Sequence, residues 1–460
     1  MHAAPCPFPS DTPVTLVIIG TGFGGLGMAI RLKQAGIDDF LVLEKADAVG
    51  GCWRENHYPG AACDVPSHLY SYSFEPRFDW SRKFAPQAEI RDYLEHCAEK
   101  YGVYPHIRFN TRMTGARFDE AEGQWQIQTD QGPLQARFLI TACGQLSEPA
   151  WPALPGREQF KGALFHSAHW DHGVDLQGRR VAVIGTGASA IQFVPQIVPQ
   201  VASLRLFQRS APYVIPKPDR AYSPLEQALL SRLPALHQLS RGMIYLQHEA
   251  RALGFNLLKP LMQLYKVRWQ QYLNRCVKDP ALRTKLTPDY PLGCKRILIS
   301  NDYYPALTQS HVEVVTEAIA RITADGIVTA DGQHHAVDVI ILGTGFRATE
   351  FLTPLHIEGL GGRDLNQVWR DGAEAYLGIT VHGFPNLFML YGPNTNLGHN
   401  SIVYMLESQI TYILQALTHA RRDPSKPLNV KDGVQDRFNR KVQAQIRNTV
   451  WDQGCTSWYK

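Results

Sequence analysis

Short apolar runs that end in glycine-rich turns recur along the chain. Val14 to Ile19 leads into Gly20-Thr21-Gly22-Phe23-Gly24-Gly25, Arg180 to Ile184 leads into Gly185-Thr186-Gly187-Ala188-Ser189-Ala190, and Asp338 to Phe346 reads DVIILGTGF. Runs this short, broken by glycine and followed by helical patterns, predict buried parallel strands, since a half-solvated strand would alternate apolar with polar positions. Phe40 to Leu43, Phe138 to Gly144, Leu204 to Phe207 and Ile297 to Ser300 predict further strands. Alternation within Ile107 to Thr129 predicts a meander, and Ala85 to Tyr101 and the stretch from Ser401 predict helices. Between Ser223 and Lys285 leucine-rich helices are expected, opened by Ser223-Pro224-Leu225-Glu226, a capping box with proline in the first turn. Phe160 to Asp171 is too mixed for an obvious amphipathic helix or alternating strand.

Strand, glycine turn and helix in sequence define an α/β chain with two Rossmann-like dinucleotide-binding domains. The expected division is 1–150 with 345–460 for one, and 151–344 for the other with a helical insert at about 223–285. In the first turn Gly20 permits the sharp bend, Gly22 lets the backbone approach a pyrophosphate, and Gly25 lets the helix pack on its strand. Glu44 ends the second strand 24 residues after Gly20, where a carboxylate accepts hydrogen bonds from a ribose diol and repels a 2'-phosphate, as FAD or NAD requires. The second unit repeats the plan through Gly185, Thr186, Gly187, Ser189 and Gln192, but 24 residues after Gly185 it has Arg209. A guanidinium there pairs with a 2'-phosphate and favours NADPH. One unit for each dinucleotide implies electron transfer from NADPH to FAD.

Gly50-Gly51-Cys52-Trp53 suits a backbone close to a cofactor, with Trp53 and Tyr70 as flat walls. Charge narrows the partners: 46 basic and 42 acidic residues are too balanced for a dedicated nucleic-acid binder. Eight cysteines contain no C-x-x-C pair, so neither a zinc knuckle nor a dithiol redox centre is suggested, and a reducing cytoplasmic setting fits best. MHAAPCPFPSDTP lacks the apolar core of a signal peptide, and no apolar run is long enough to span a bilayer. Arg241 to Arg283, with eight basic and two acidic residues, leaves room for weak peripheral membrane contact or a cover over a hydrophobic substrate tunnel, although a solvated face over a helical core is the commoner outcome. His166, His169 and His172 lack a completing Cys or carboxylate, so no metal is expected.

Phe160, Gly162, His166, Trp170 and Asp171 occur at the offsets F-x-G-x-x-x-H-x-x-x-W-[PD], and Gly50 to Asp64 follows G-G-x-W-x-x-x-x-Y-P-G-x-x-x-D. In both the chain resembles the Baeyer-Villiger monooxygenases, flavoproteins that insert oxygen beside a ketone. The resemblance implies FAD and NADPH as cofactors, a C4a-peroxyflavin as oxidant, and molecular oxygen with a hydrophobic ketone, or a sulfide, as substrates. It implies that Asp64 lies near the flavin, as part of the cofactor site, and positions a catalytic arginine, Arg296, within Lys295-Arg296, that Lys295 helps hold the NADP phosphate, and that Phe160 to Asp171 acts as a hinge. Oxygenation of sulfur or nitrogen is the alternative, and a non-catalytic NADPH-binding flavoprotein a more distant one. Ala62 and Gly343 depart from the family pattern.

Overall fold

A computed structural model describes residues 14–256, 259–352, 355–452 and 454–455. The N-terminal stretch read for a signal peptide lies outside the described residues. Two sheets organise the chain, the first with a parallel centre and an antiparallel extension, the second parallel throughout. The first holds eight strands, with Val14–Ile19 between Phe40–Leu43 and Leu134–Thr141 and all three running parallel. Met113–Asp119 and Gln124–Thr129 extend it as an antiparallel meander, while Leu387–Met389, far along the chain, pairs with Leu134–Thr141. The second sheet has five strands in the order Val312–Val315, Ser203–Phe207, Arg180–Ile184, Val339–Leu342, Ala163–His166.

Central strands in both sheets are buried on each face: Val17 and Ile18 in the first, Ala182 and Val183 in the second, are inaccessible to solvent. That burial is why their sequences lack alternation. Helix Phe23–Gln34 packs on the first sheet and Ala188–Ile197 belongs to the second core. The joint departs from the sequence expectation, since Ala163–His166 is a strand on the edge of the second sheet, in register with Val339–Leu342. An edge strand of four residues pairs on one side only, too short a segment to carry a readable period.

Two segments cross between the sheets, and they lie side by side. Pro149 and Phe346 form a bridge, Ala150 N donates to Gly345 O at 2.9 Å, and Arg347 N donates to Glu148 O at 3.0 Å. The helical insert comprises Pro224–Arg232, Pro234–Asn256, Lys259–Cys276 and Pro280–Lys285. Ser223 caps it as its sequence requires, its Oγ accepting from Glu226 N at 3.2 Å. Its solvent side is leucine-lined: Leu225, Leu239, Met243 and Leu246 are each more than half exposed. Arg241 stitches the insert to the first unit by donating to the carbonyls of His68 and Ser71, both at 2.8 Å. Among the described residues no helix is long and apolar enough to cross a membrane.

Candidate active site

Both glycine turns deliver a helix amino end whose cap is a glycine in extended conformation, Gly22 or Gly187, with no side-chain cap and no acidic residue in the first turn. The first backbone N–H groups of a helix lack intrahelical partners, and with no carboxylate competing they suit an anion such as a pyrophosphate. Ser189 lies in the first turn of the second helix. A Cβ on Gly22 would approach only the Gly51 backbone, at 3.6 Å, and one on Gly187 only Gly343 O, at 3.9 Å, so both turns keep an open face for a ligand. These features fit FAD and NADP.

Glu44 is buried at the end of its strand and bound into its own turn. Its Oε2 accepts from Thr21 N at 3.0 Å and Thr21 Oγ1 at 2.5 Å, while Oε1 accepts from Ala46 N at 3.0 Å. Arg54 Nη1 stands 3.6 Å from the carboxylate. Trp53 and Tyr70 meet edge to face, and Trp53 Nε1 donates to the Tyr70 hydroxyl at 3.1 Å. Cys52 and Cys63, in the same region, are free thiols that burial pushes up to about 12. Both are therefore held as thiols at ordinary pH.

In the second unit Arg209 is exposed and makes no hydrogen bond or ion pair among the described residues. Lys295, 86 residues further on, comes to the same corner: its Nζ donates to Ser210 Oγ at 3.3 Å, and the Ser210 carbonyl accepts from Thr186 Oγ1 at 3.1 Å. Burial, and then the charge of Arg209, lower the Lys295 pKa. Two cations beside a hydroxyl and a glycine turn have the charge and donors that suit a phosphate dianion. Gly343 is explained here as well. A Cβ on it would fall 3.2 Å from the Cβ of Ala190, so glycine at one position accommodates alanine at the other.

The two units meet at the Tyr58 to Asp64 loop. Gln192, on the helix of the second unit, accepts from Tyr58 OH at 2.9 Å and donates to Ala62 O at 3.0 Å and Asp64 Oδ1 at 3.4 Å. Gly60 is needed for this approach, because its φ is +79° and a Cβ would lie 2.8 Å from Gln192 O. Arg296 Nη2 donates to Asp64 Oδ2 at 3.3 Å across 232 residues of sequence. Lys217, which carries no motif and was not singled out by sequence, stands 3.7 Å from Asp64 Oδ1. The residue before the Lys-Arg pair, Cys294, is disulfide-bonded to Cys455. Their separation of 161 residues is invisible to local spacing.

The residues of the joint do not enter this corner. Trp170 is buried against Phe165 and Phe193, Gly162 lies against the Asp338 carbonyl, Phe160 packs on the separate apolar cluster that holds Ala182 and Ile340, and exposed Asp171 accepts from Gly173 N at 2.9 Å. His166 is buried between Trp151 and Phe346, one on each crossing segment, and its Nδ1 accepts from Ala168 N at 3.1 Å. Burial, with His169 adding to it, pushes the His166 pKa down to about 4, so the ring is neutral at ordinary pH. His172 meets His57 instead, ring nitrogen to ring nitrogen at 2.9 Å.

This is the architecture of a two-dinucleotide oxidoreductase, and residues 17–251 match the family model described as pyridine nucleotide-disulphide oxidoreductase. The likeness extends further. A Baeyer-Villiger monooxygenase of Pseudomonas aeruginosa is 51% identical over 446 residues, 96% of this chain and 85% of that protein, and one of Streptomyces coelicolor is 45% identical over 448 residues, 97% and 86% respectively. Among solved structures, an oxidized steroid monooxygenase bound to NADP superposes with a TM-score of 0.88 at 33% identity, covering 97% of this chain and 93% of that one. The chain belongs to the Baeyer-Villiger monooxygenase family.

Proposed function

We propose that the chain uses NADPH and molecular oxygen, with FAD bound in its first unit, to insert one oxygen atom beside the carbonyl of a hydrophobic ketone, giving an ester or lactone. Residues 1–150 with 345–460 form the FAD unit in this reading, and 151–344 the NADP unit. Bound FAD supplies the redox and oxygen-activating chemistry. The chain's residues bind, orient and place charge. Gly20, Gly22, Gly25, Glu44, Gly51, Trp53 and Tyr70 hold the first dinucleotide. Gly185, Thr186, Gly187, Ser189, Gln192, Arg209 and Lys295 hold the second. Arg296, oriented by Asp64, stabilises the negative charge that develops on the ketone oxygen when the carbonyl is attacked. The observation that carries this assignment is the Asp64–Arg296 contact, which joins a loop of one unit to a strand entry of the other. A panel of ketones and sulfides, assayed by product mass with oxygen consumption recorded, tests it. Sulfoxides without ester from any ketone would move the function to heteroatom oxygenation.

Arg209→Ala raises the Michaelis constant for NADPH and narrows the preference over NADH roughly tenfold or more, because a charge-assisted phosphate contact of about 1.5 to 3 kcal/mol is lost. Steady-state kinetics with both nucleotides measure this. An unchanged preference would assign the phosphate to Lys295 alone.

Phe160, Gly162, His166, Trp170 and Asp171 act as a hinge in the same reading. His166 fills the space between the two crossing segments, so His166→Ala retains FAD but releases more peroxide per NADPH, because a displaced second unit misplaces the nicotinamide. Wild-type coupling in that variant would reduce the joint to a linker.

A further inference from the structure

We infer that Lys217 is a second cation on the Asp64 carboxylate, a positioning residue that sets how firmly Asp64 holds Arg296. The inference rests on the reading of Asp64 and Arg296 given above.

The backbone brings the two cations to one carboxylate. Lys217 follows the short strand Val214–Ile215 and Arg296 precedes Leu298–Ile299, and these strands pair in parallel with Val214 opposite Leu298 and Ile215 opposite Ile299. Just beyond the pair, Asn301 clamps Lys217: Oδ1 accepts from Lys217 N at 3.0 Å, and Nδ2 donates to Lys217 O at 2.9 Å. Pro216 and Pro218 flank the lysine and restrict its backbone. The side chain is 13% exposed. Its Nζ donates to Cys63 O at 3.0 Å, lies 3.7 Å from Asp64 Oδ1, and stands 5.0 Å from the centre of the Phe84 ring.

An ammonium this enclosed needs a counter-charge, because an unpaired buried ion is strongly penalised. The nearby carboxylate of Asp219 is engaged elsewhere, by Arg82 Nε at 2.8 Å and Phe84 N at 3.2 Å. Asp64 therefore serves Lys217 through Oδ1 while Arg296 Nη2 donates to Oδ2 at 3.3 Å. Two cations thus share the one carboxylate, one on each oxygen. Asp64 orients Arg296 without cancelling its charge, which is the condition for the guanidinium to stabilise developing negative charge in substrate. With Lys217 removed, the carboxylate would be left chiefly to Arg296 and would draw the guanidinium into a tighter, more nearly neutral pair.

Lys217→Met in the FAD-loaded enzyme tests the inference, with Lys217→Arg as the conservative variant and Asp64→Asn as the partner. Lys217→Met should remain reducible by NADPH while ester per oxygen consumed falls roughly tenfold, the balance leaving as peroxide, and Lys217→Arg should recover most of the coupling. The NADP+ dissociation constant, read from flavin absorbance, should change about tenfold on Lys217→Met when Asp64 is present and less than about twofold in the Asp64→Asn background. Full coupling in Lys217→Met, equal loss in Lys217→Arg, or additive effects with Asp64→Asn would each overturn it. If Lys217→Met does not fold, Lys217→Gln takes its place in every comparison. An absence of ester from the wild-type enzyme with any ketone would instead sink the parent reading, while the NADP+ measurements would still report on the Lys217–Asp64 pair.

Discussion

Arg296→Ala retains FAD and is still reduced by NADPH, but forms ester roughly a hundred- to a thousandfold more slowly, the usual cost of removing a donor that faces developing charge. The Asp64 contact gives this prediction its shape. A guanidinium donates to Asp64 Oδ2 through Nη2, at 3.3 Å, from a planar fork whose several donors hold a fixed orientation. Lysine has a point charge on a flexible stem. Arg296→Lys should therefore restore little, because an ammonium drawn toward Asp64 presents no fixed second donor. Stopped-flow reduction separates the half-reaction with NADPH from the oxygenation that follows, and product analysis measures the second. Substantial ester from either variant would remove Arg296 from the assignment and leave Asp64 without the role proposed for it.

What was legible in the sequence was what one element carries alone. The runs ending at Gly20 and Gly185 announce strand, turn and helix because burial on both faces removes polar positions and the turn needs glycine. The N-cap at Ser223 is similarly local: its Oγ accepts from Glu226 N, while the Glu226 carboxylate that a capping box would fold back accepts from Arg220 instead. The strand Ala163–His166 was not legible, since it pairs only with Val339–Leu342 and has too few residues to show a period. The site divides in the same way. The offset of Arg209 from Gly185 is a local signal, but its convergence with Lys295 on one corner is a product of the fold. Asp64 and Arg296 were connected only through resemblance to a family. Lys217 sits between two prolines in a segment with no chemical spacing, and only the pairing of two short strands brings it to Asp64. Cys294 and Cys455 could not be matched by spacing for the same reason.

Gly22→Ala weakens FAD binding roughly ten- to a hundredfold while leaving the flavin-free fold intact, and its contrast with Gly25→Ala identifies where the pyrophosphate lies. Gly22 has φ −75° and ψ −170°, a conformation open to any residue, and an added Cβ would meet only the Gly51 backbone at an ordinary 3.6 Å. The protein itself therefore tolerates alanine there. What the methyl group occupies is the space through which a phosphate would reach the helix amino end. Steric intrusion of this kind costs about 1 to 3 kcal/mol, so FAD affinity falls roughly ten- to a hundredfold. Gly25 differs because its Cβ would come within 1.8 Å of the Gly20 carbonyl oxygen, a collision inside the turn that requires the backbone to move. Gly25→Ala should lower the thermal midpoint of the flavin-free protein and lose FAD as a consequence, whereas Gly22→Ala should keep that midpoint and lose FAD directly. Flavin content after purification, FAD titration of the stripped protein and its melting curve separate the two cases. A Gly22→Ala protein that binds FAD as tightly as the wild type would move the pyrophosphate away from this helix end, and with it the proposal that the first glycine turn is the flavin dinucleotide site.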